Sequence, residues 1–230
     1  MTWLDEPLIA LDTETTGTDP ETARIVTACI GLAAQPGAWE PAEWRVNPSI
    51  PIPAEAAVIH GLSDADVADQ PSGPDAMEPI WTRLAEVAHI PIVGHNLAYD
   101  MTVLDREFHR HLGRGLPDGL RFIDTLVLFR RFDLTTGGRR LETLATRYGI
   151  TLDAHDAAAD ALASLRILHI LARENDLLPL VSVADLQPLQ AKWHAAHIEA
   201  QRQKRISRGQ TAPPESTDWP IRPMPERSAT

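Results

Sequence analysis

Alternating apolar and polar positions divide the first 175 residues into short strands and amphipathic helices. Apolar runs predict five strands, at residues 8–12, 24–33, 44–46, 90–94 and 121–125. Apolar side chains at helical spacing, together with a hydroxyl cap at Ser63, predict helices at 64–66, 75–88, 98–112, 141–148 and 156–172. Three strands followed by alternating helices and short strands predict an α/β fold, a mixed sheet flanked by helices.

The pattern changes after about residue 175. Residues 183–205 predict one amphipathic, partly charged helix, and residues 209–230 contain five prolines and few large apolar side chains. We therefore expect a domain over 1–178, a helical extension over 179–208 and a Pro-rich disordered tail over 209–230. Trp193 and Trp219 are expected to pack the extension onto the domain or onto a partner.

Composition favours a globular protein in a reducing compartment. The chain has 230 residues, of which 43% are hydrophobic, enough for a real core. Its single cysteine, Cys29, lies in an apolar run and is expected to be a buried strand residue. No apolar stretch approaches 18 residues. We expect a cytoplasmic protein without a membrane segment.

Three acidic clusters lie at the end of a predicted strand or near the start of a predicted helix. Asp12 and Glu14 end the first strand, Asp100 lies near the start of a helix, and His155 with Asp160 lies near the start of another. The clusters are 88 and 60 residues apart, so only a fold can bring them to one point. Four carboxylates suit two hard divalent cations, and a histidine can take a proton from water beside them.

Local geometry restricts how the first two clusters are presented. Side chains alternate along a strand, so Asp12 and Glu14 share one face and repel each other unless a cation lies between them. Asn96 is expected to cap the following helix, which places Asp100 in its first turns.

The third cluster requires a loop. Five residues of ideal helix turn by about 140°, so His155 and Asp160 can share a site only if His155 precedes the helix. Residues 153–156 resemble a helix start, with Asp153 or Asp156 as the cap.

The charge is uneven along the chain. The net charge is −11, but residues 1–90 hold 3 basic and 15 acidic residues, whereas residues 91–170 hold 10 of each. The overall charge argues against tight non-specific duplex binding, yet it allows a local basic rim. Most arginines of this middle segment fall between the second and third clusters, and they form either that rim or solvated faces; they are Arg106, Arg110, Arg114, Arg121, Arg130, Arg131, Arg139 and Arg140.

Two further segments carry polar chemistry. Residues 135–140 read Thr-Thr-Gly-Gly-Arg-Arg, which is typical either of a phosphate-contacting loop or of a mobile connector. His194 and His197 can share a helix face, but no cysteine or carboxylate lies at ligand spacing, so we expect no metal site there.

Three ordered motifs resemble a known family. They are Leu-Asp-Thr-Glu-Thr-Thr-Gly at 11–17, His-Asn-x-x-Tyr-Asp at 95–100 and His-x4-Asp at 155–160. Over residues 6–175 the chain resembles the DEDDh, or DnaQ-like, 3′–5′ exonucleases, whose members include the proofreading epsilon subunit of DNA polymerase III. Tyr99 stands where many members have phenylalanine. Residues 58–63 resemble a loop that these enzymes carry beside the terminal nucleotide.

The resemblance implies a ribonuclease-H-like fold with Asp12, Glu14, Asp100 and Asp160 binding two Mg²⁺ or Mn²⁺ ions. It implies that His155 deprotonates a water, which attacks the terminal phosphodiester and releases a nucleoside 5′-monophosphate. Substrate contacts are implied for six further residues: Thr13, Thr15, His60, Leu62, Asn96 and Tyr99.

The leading hypothesis is an exonuclease that acts on single-stranded or frayed DNA 3′ ends, in proofreading or repair. An exoribonuclease that trims short RNA is an alternative, and a non-catalytic binding module is a third, against which the complete set of carboxylates argues. The C-terminal extension is interpreted either as a tether to a polymerase subunit or as a disordered tail.

Overall fold

The computed structural model describes residues 2–35, 37–133, 137–152, 155–211 and 215–224. Its centre is a mixed sheet made of β1 (Leu8–Thr15), β2 (Ile25–Ala33), β3 (Glu43–Arg45), β4 (Ile92–Gly94) and β5 (Phe122–Asp124). The strand order is β3-β2-β1-β4-β5. β1 to β3 are antiparallel, and β4 is parallel to both β1 and β5. The predicted α/β mixed sheet is confirmed.

Helices cover both faces and one edge of the sheet. They are α1 (Ala54–His60), α2 (Asp64–Val67), α3 (Gly73–Glu86), α4 (Leu97–Leu112), α5 (Thr125–Phe132), α6 (Leu141–Arg147), α7 (Ala157–Glu174) and α8 (Val183–Ser207). Short 3₁₀ turns lie at Trp3–Asp5 and Leu178–Leu180. Within the described ranges, none of these helices combines the length and the apolar character needed to cross a membrane.

Side chains on the two faces of β1 pack in two different hydrophobic cores. Leu8 and Ala10 pack in the core formed with α7, while Ile9 and Leu11 pack in the core formed with α3 and α4. This follows from the alternation of side chains along a strand. By the same alternation, the Asp12 side chain lies on the face of β1 that carries Leu8 and Ala10 and packs against α7.

Two helices were not predicted from the pattern. α1 buries only Ala56, so it has no apolar stripe for periodicity to detect. α5 begins at Thr125, directly after β5, because the Asp124 carboxylate accepts hydrogen bonds from the N–H groups of Leu126 and Val127. A continuous apolar run that changes from strand to helix without a loop gives no periodic signal.

The predicted C-terminal helix is confirmed as α8, and it packs against β5 and α5. Gln190 is fully buried at this contact. Its Oε1 accepts the Asp124 N–H at 2.7 Å, and its Nε2 donates to the Phe122 carbonyl at 2.9 Å. The Gln190 side chain thereby provides hydrogen-bond partners for two backbone groups on the outer edge of β5, where none of the other described strands pairs.

The predicted disordered tail is wrong for residues 215–224, which pack on the domain. Trp219 is buried, and its indole N–H donates to Asp124 Oδ2 at 3.3 Å. The N–H of Arg222 donates to Thr102 Oγ1, and the Arg106 guanidinium donates to the carbonyls of Arg222 and Pro223. A buried aromatic ring and these hydrogen bonds offset the ordering cost of a short polar segment. Residues 212–214 and 225–230 of the predicted tail lie outside the described residues.

We expect Gln190→Leu to lower the free energy of unfolding by roughly 2–6 kcal/mol. The substitution keeps the bulk but leaves two buried backbone groups without partners, at about 1–3 kcal/mol each. Urea unfolding measures the effect. Gln201→Leu, on the exposed end of the same helix, is the matched control and should change stability by less than about 0.5 kcal/mol. An equal effect of the two substitutions would contradict this role of Gln190.

Candidate active site

The end of β1 presents two acids on one face. Asp12 and Glu14 are two residues apart, both partly exposed, and the strand pairing breaks its register between Glu14 and Thr15. Asp12 lies opposite Cys29 on β2, whose buried side chain belongs to the core under α7. The predicted placement of the two acids on a common face agrees with this register.

Asp100 reaches the site from the first turn of α4. Its Oδ1 accepts two hydrogen bonds from Thr13, one from the backbone N–H at 3.1 Å and one from the hydroxyl at 2.6 Å. Thr13, predicted to contact substrate, therefore holds Asp100 in this structure. Asn96 does occupy the cap position, but in the left-handed region with φ 66° and without a side-chain capping bond. Its N–H instead donates to Asp124 Oδ1 at 3.0 Å.

His155 lies on the loop before α7, as the helical offset requires. Its backbone is left-handed, with φ 69°, an uncommon conformation for a residue other than glycine. The His155 N–H donates to Asp160 Oδ2 at 3.1 Å, and Asp156 caps α7 by accepting the Ala159 N–H. The other predicted cap, Asp153, lies outside the described residues.

All five predicted catalytic residues line one open cavity of about 820 Å³: Asp12, Glu14, Asp100, His155 and Asp160. Within the described part of the chain, ligand atoms of Glu14, His155 and Asp160 lie within 4.8 Å of one another. Asp12 and Asp100 line the same cavity but do not belong to that tight group. The fold therefore brings the three distant clusters to one point.

Burial makes negative charge costly at this site. The pKa of Asp12 is raised well above its usual range, first by burial and then by Asp100, Asp160 and Glu14. Burial and its acidic neighbours raise the pKa of Glu14 to about 8.

The two helix carboxyls show the same effect. Burial raises the pKa of Asp100 to about 7, although its hydrogen bonds from Thr13 act in the opposite direction. Burial raises the pKa of Asp160 to about 6, against the hydrogen bond from His155. Adjacent buried carboxylates are stable together when a cation shares their charge.

The residues present fit a divalent cation. Asp160 Oδ1 is buried and has no hydrogen-bond partner among the described residues, which leaves a carboxylate oxygen directed at no donor. Carboxylate oxygens are the ligands that Mg²⁺ and Mn²⁺ prefer. The four acids Asp12, Glu14, Asp100 and Asp160 would hold the cations.

Thr15 and Tyr99 stabilise the turn after β1. Their hydroxyls lie 2.6 Å apart, and both contact the carbonyl of Gly17. Burial raises the pKa of Tyr99 to about 12, so its hydroxyl keeps its proton. The phenol in place of the family's usual phenylalanine thus has a local structural role here.

His60 and Leu62 lie beside His155 in an adjoining cavity of about 550 Å³. The Leu62 N–H donates to His60 Nδ1 at 3.2 Å, so the His60 proton is on Nε2. Nε2 is buried and has no partner within the described ranges. His155 is therefore shared by the two cavities, and the predicted substrate loop lies next to the predicted base.

Several residues around the site were missed from the sequence. Asp124 caps α5 and also holds the backbone of Asn96; its position near the end of the predicted strand at 121–125 was the available signal. Glu142 Oε1 lies 3.7 Å from His155 Nε2. His95 bonds Thr125 Oγ1 through Nδ1 and the Arg139 carbonyl through Nε2. These contacts join segments that are far apart along the chain.

Comparison with known proteins agrees with this arrangement. A family model described as exonuclease (RNase_T) matches residues 9–168, more than half of the chain. The chain belongs to the exonuclease family. The matched region contains all three motifs, and the resemblance to DEDDh exonucleases is confirmed.

Relatives of this exonuclease-family chain include larger proteins whose names refer to DNA polymerase III. It is 29% identical over 171 residues to a DNA polymerase III subunit epsilon-like protein of Rhodobacter capsulatus, covering 70% of this chain and 23% of the relative. It is 27% identical over 168 residues to a PolC-type DNA polymerase III of Lacticaseibacillus paracasei, covering 72% and 11%. The chain spans less than a quarter of the length of either relative.

A solved structure shares the exonuclease fold. The zinc-bound form of Escherichia coli exonuclease I with single-stranded DNA is similar, with a TM-score of 0.62 and 20% identity. The match covers 75% of this chain and 41% of exonuclease I. At this identity the likeness shows the fold.

Proposed function

We propose that this member of the exonuclease family is a metal-dependent 3′–5′ exonuclease. It would hydrolyse terminal phosphodiesters of single-stranded DNA and release nucleoside 5′-monophosphates. The observation that carries the proposal is the meeting of Asp12, Glu14, Asp100, His155 and Asp160 in one cavity, where Asp160 Oδ1 has no hydrogen-bond partner among the described residues.

The chain's own residues suit an in-line hydrolysis. When bound, two divalent cations would stabilise charge on the attacking and leaving oxygens. His155 is about a third exposed and stands on a loop, where its ring can accept a proton from an attacking water. Asp160 fixes the His155 backbone through Oδ2, and Glu142 lies beside the ring.

The choice of DNA and of a cellular role draws on the relatives. The related exonuclease I structure contains single-stranded DNA, and two relatives are named after DNA polymerase III. We propose a proofreading or repair role in the cytoplasm, with a polymerase as partner. Residues 199–207 of α8 are exposed and offer a surface for that contact, whereas residues 215–224 pack on the domain.

The test is digestion of 5′-labelled and 3′-labelled single-stranded DNA and RNA with Mg²⁺, Mn²⁺ or EDTA. A ladder of shortening 5′-labelled DNA, with immediate release of the 3′ label as a mononucleotide, is expected only with a cation. Digestion that persists in EDTA would refute the metal-dependent mechanism. Faster digestion of RNA than of DNA would assign the alternative exoribonuclease activity.

A further inference from the structure

The cavity that holds the acids has a basic wall. Besides the five predicted catalytic residues, Arg130 of α5, Arg140 at the start of α6 and His197 of α8 line this cavity. Gly137 and Gly138 complete the wall between the two arginines. One cavity is therefore lined both by the acids and by guanidinium groups.

Arg130 is a half-buried cation without a close partner. Among the residues that the structure describes, neither a hydrogen bond nor an ion pair is formed by its guanidinium. Burial is the main cause that lowers the pKa of Arg130, and Arg139 acts in the same direction, whereas the charges of Asp124 and Glu215 act against them. A partly desolvated guanidinium next to another cation is stabilised by an anion.

Arg139 has a different task from its neighbour Arg140. The Arg139 guanidinium donates to the carbonyls of Phe129 and Asp133, and its own carbonyl contacts His95 Nε2. These bonds tie this end of the loop to α5. The exposed Arg140 lines the cavity, and its side chain forms no hydrogen bond or ion pair with another described residue.

The sequence of residues 135–140 was typical either of a mobile connector or of a phosphate-contacting loop. Its two arginines differ in the structure. Arg139 anchors the loop, and Arg140 is available to a ligand. Thr135 and Thr136 of this loop lie outside the described residues.

His197 brings the C-terminal helix into the same wall. Burial, followed by the charge of Arg130, lowers the pKa of His197 to about 4, so its ring is neutral at pH 7. A neutral imidazole can donate one hydrogen bond without adding charge repulsion.

We infer that Arg130 and Arg140, assisted by His197, bind the backbone phosphates on the 5′ side of the scissile bond. This inference rests on the proposed function. With the terminal nucleotide at the acids, the rest of the strand must leave the cavity, and its phosphates need cationic partners away from the carboxylates. Guanidinium groups match phosphate oxygens in a two-pronged geometry. The wall would favour substrates with several phosphodiesters over substrates with one.

The experiment compares two substrates of different length. One is thymidine 5′-(p-nitrophenyl phosphate), which has a single phosphodiester, and the other is a labelled oligothymidylate of about 12 nucleotides. Arg130→Gln, Arg140→Gln and the double variant are measured against wild type. Arg166→Gln is the matched control, because Arg166 is an exposed arginine of α7 that lines a separate cleft.

Each single variant should raise KM for the oligonucleotide roughly 5–30-fold, the effect of losing a charge-assisted hydrogen bond. The value of kcat/KM for the single diester should stay within about twofold, since that substrate does not reach the wall. The slope of log KM for the oligonucleotide against log salt should fall by about 0.7 for each lost phosphate contact. Arg166→Gln should behave as wild type.

Equal losses on both substrates would overturn the inference, because the arginines would then act on the reaction centre or on folding. Unchanged oligonucleotide KM values would overturn it as well. Fluorescence anisotropy with the oligonucleotide in EDTA reads binding without hydrolysis. If wild type hydrolyses neither substrate, the proposed function fails. Weaker oligonucleotide binding by the double variant would still support phosphate binding by Arg130 and Arg140. Equal behaviour of wild type and double variant in both assays rejects it.

Discussion

Asp12→Asn is expected to abolish cation-dependent digestion while stabilising the protein in EDTA. Activity should fall because one of the four carboxylates that would hold the cations is lost. Without cations, however, Asp12 is an acid crowded by Asp100, Asp160 and Glu14, and the neutral amide relieves that repulsion. The variant should therefore melt at a higher temperature than wild type in EDTA.

Thermal unfolding in EDTA and in Mn²⁺ measures this pair of effects. Wild type should gain stability from Mn²⁺, because a ligand that binds only the folded state stabilises it, and the variant should gain less. Asp69→Asn is the control, since Asp69 is an exposed acid that does not line the cavity and forms no side-chain hydrogen bond with another described residue. Undiminished digestion by Asp12→Asn, or a variant less stable than wild type in EDTA, would contradict the assignment of this carboxylate.

His155→Ala is expected to lower kcat by roughly 10²–10⁴-fold, the usual contribution of a general base. His155 also belongs to the tight group with Glu14 and Asp160, so its ring could act as a cation ligand instead. The two roles separate in a Mn²⁺ titration of the residual activity. If His155 acts only as a base, its removal leaves the half-saturating Mn²⁺ concentration unchanged. If its ring is a cation ligand, its removal raises that concentration.

His89→Ala serves as the control for this second prediction. His89 is an exposed histidine in the turn between α3 and β4, and its removal should leave kcat within about twofold of wild type. Wild-type kcat in His155→Ala would exclude the base role. A large rise in the half-saturating Mn²⁺ concentration would instead assign His155 as a cation ligand.

The central part of the site could be predicted because it depends on local geometry. Strand alternation placed Asp12 with Glu14, and the helical offset of five residues placed His155 on a loop before the helix that carries Asp160. The structure agrees with both: the His155 N–H reaches Asp160 Oδ2. The short-range rules of strands and helices contain this information.

The remaining features depend on long-range partners and could not be predicted. The bonds from Thr13 to Asp100 span 87 residues, and the bond from Trp219 to Asp124 spans 95. Local composition described the tail correctly as polar and Pro-rich, but it could not show that Trp219 has a buried place on the domain. Asn96 was expected to cap a helix with its side chain, whereas its backbone is fixed by Asp124 on another strand.

The contact between α8 and β5 covers the outer edge of the sheet. β5 ends the strand order, and an uncovered outer strand is a template for pairing with other chains. Gln187 accepts the Phe122 N–H, and Gln190 occupies the next two backbone groups, so α8 acts as a substitute for a sixth strand. A fragment ending near residue 178 would keep every predicted catalytic residue, yet it would expose the edge of β5 to pairing with other chains.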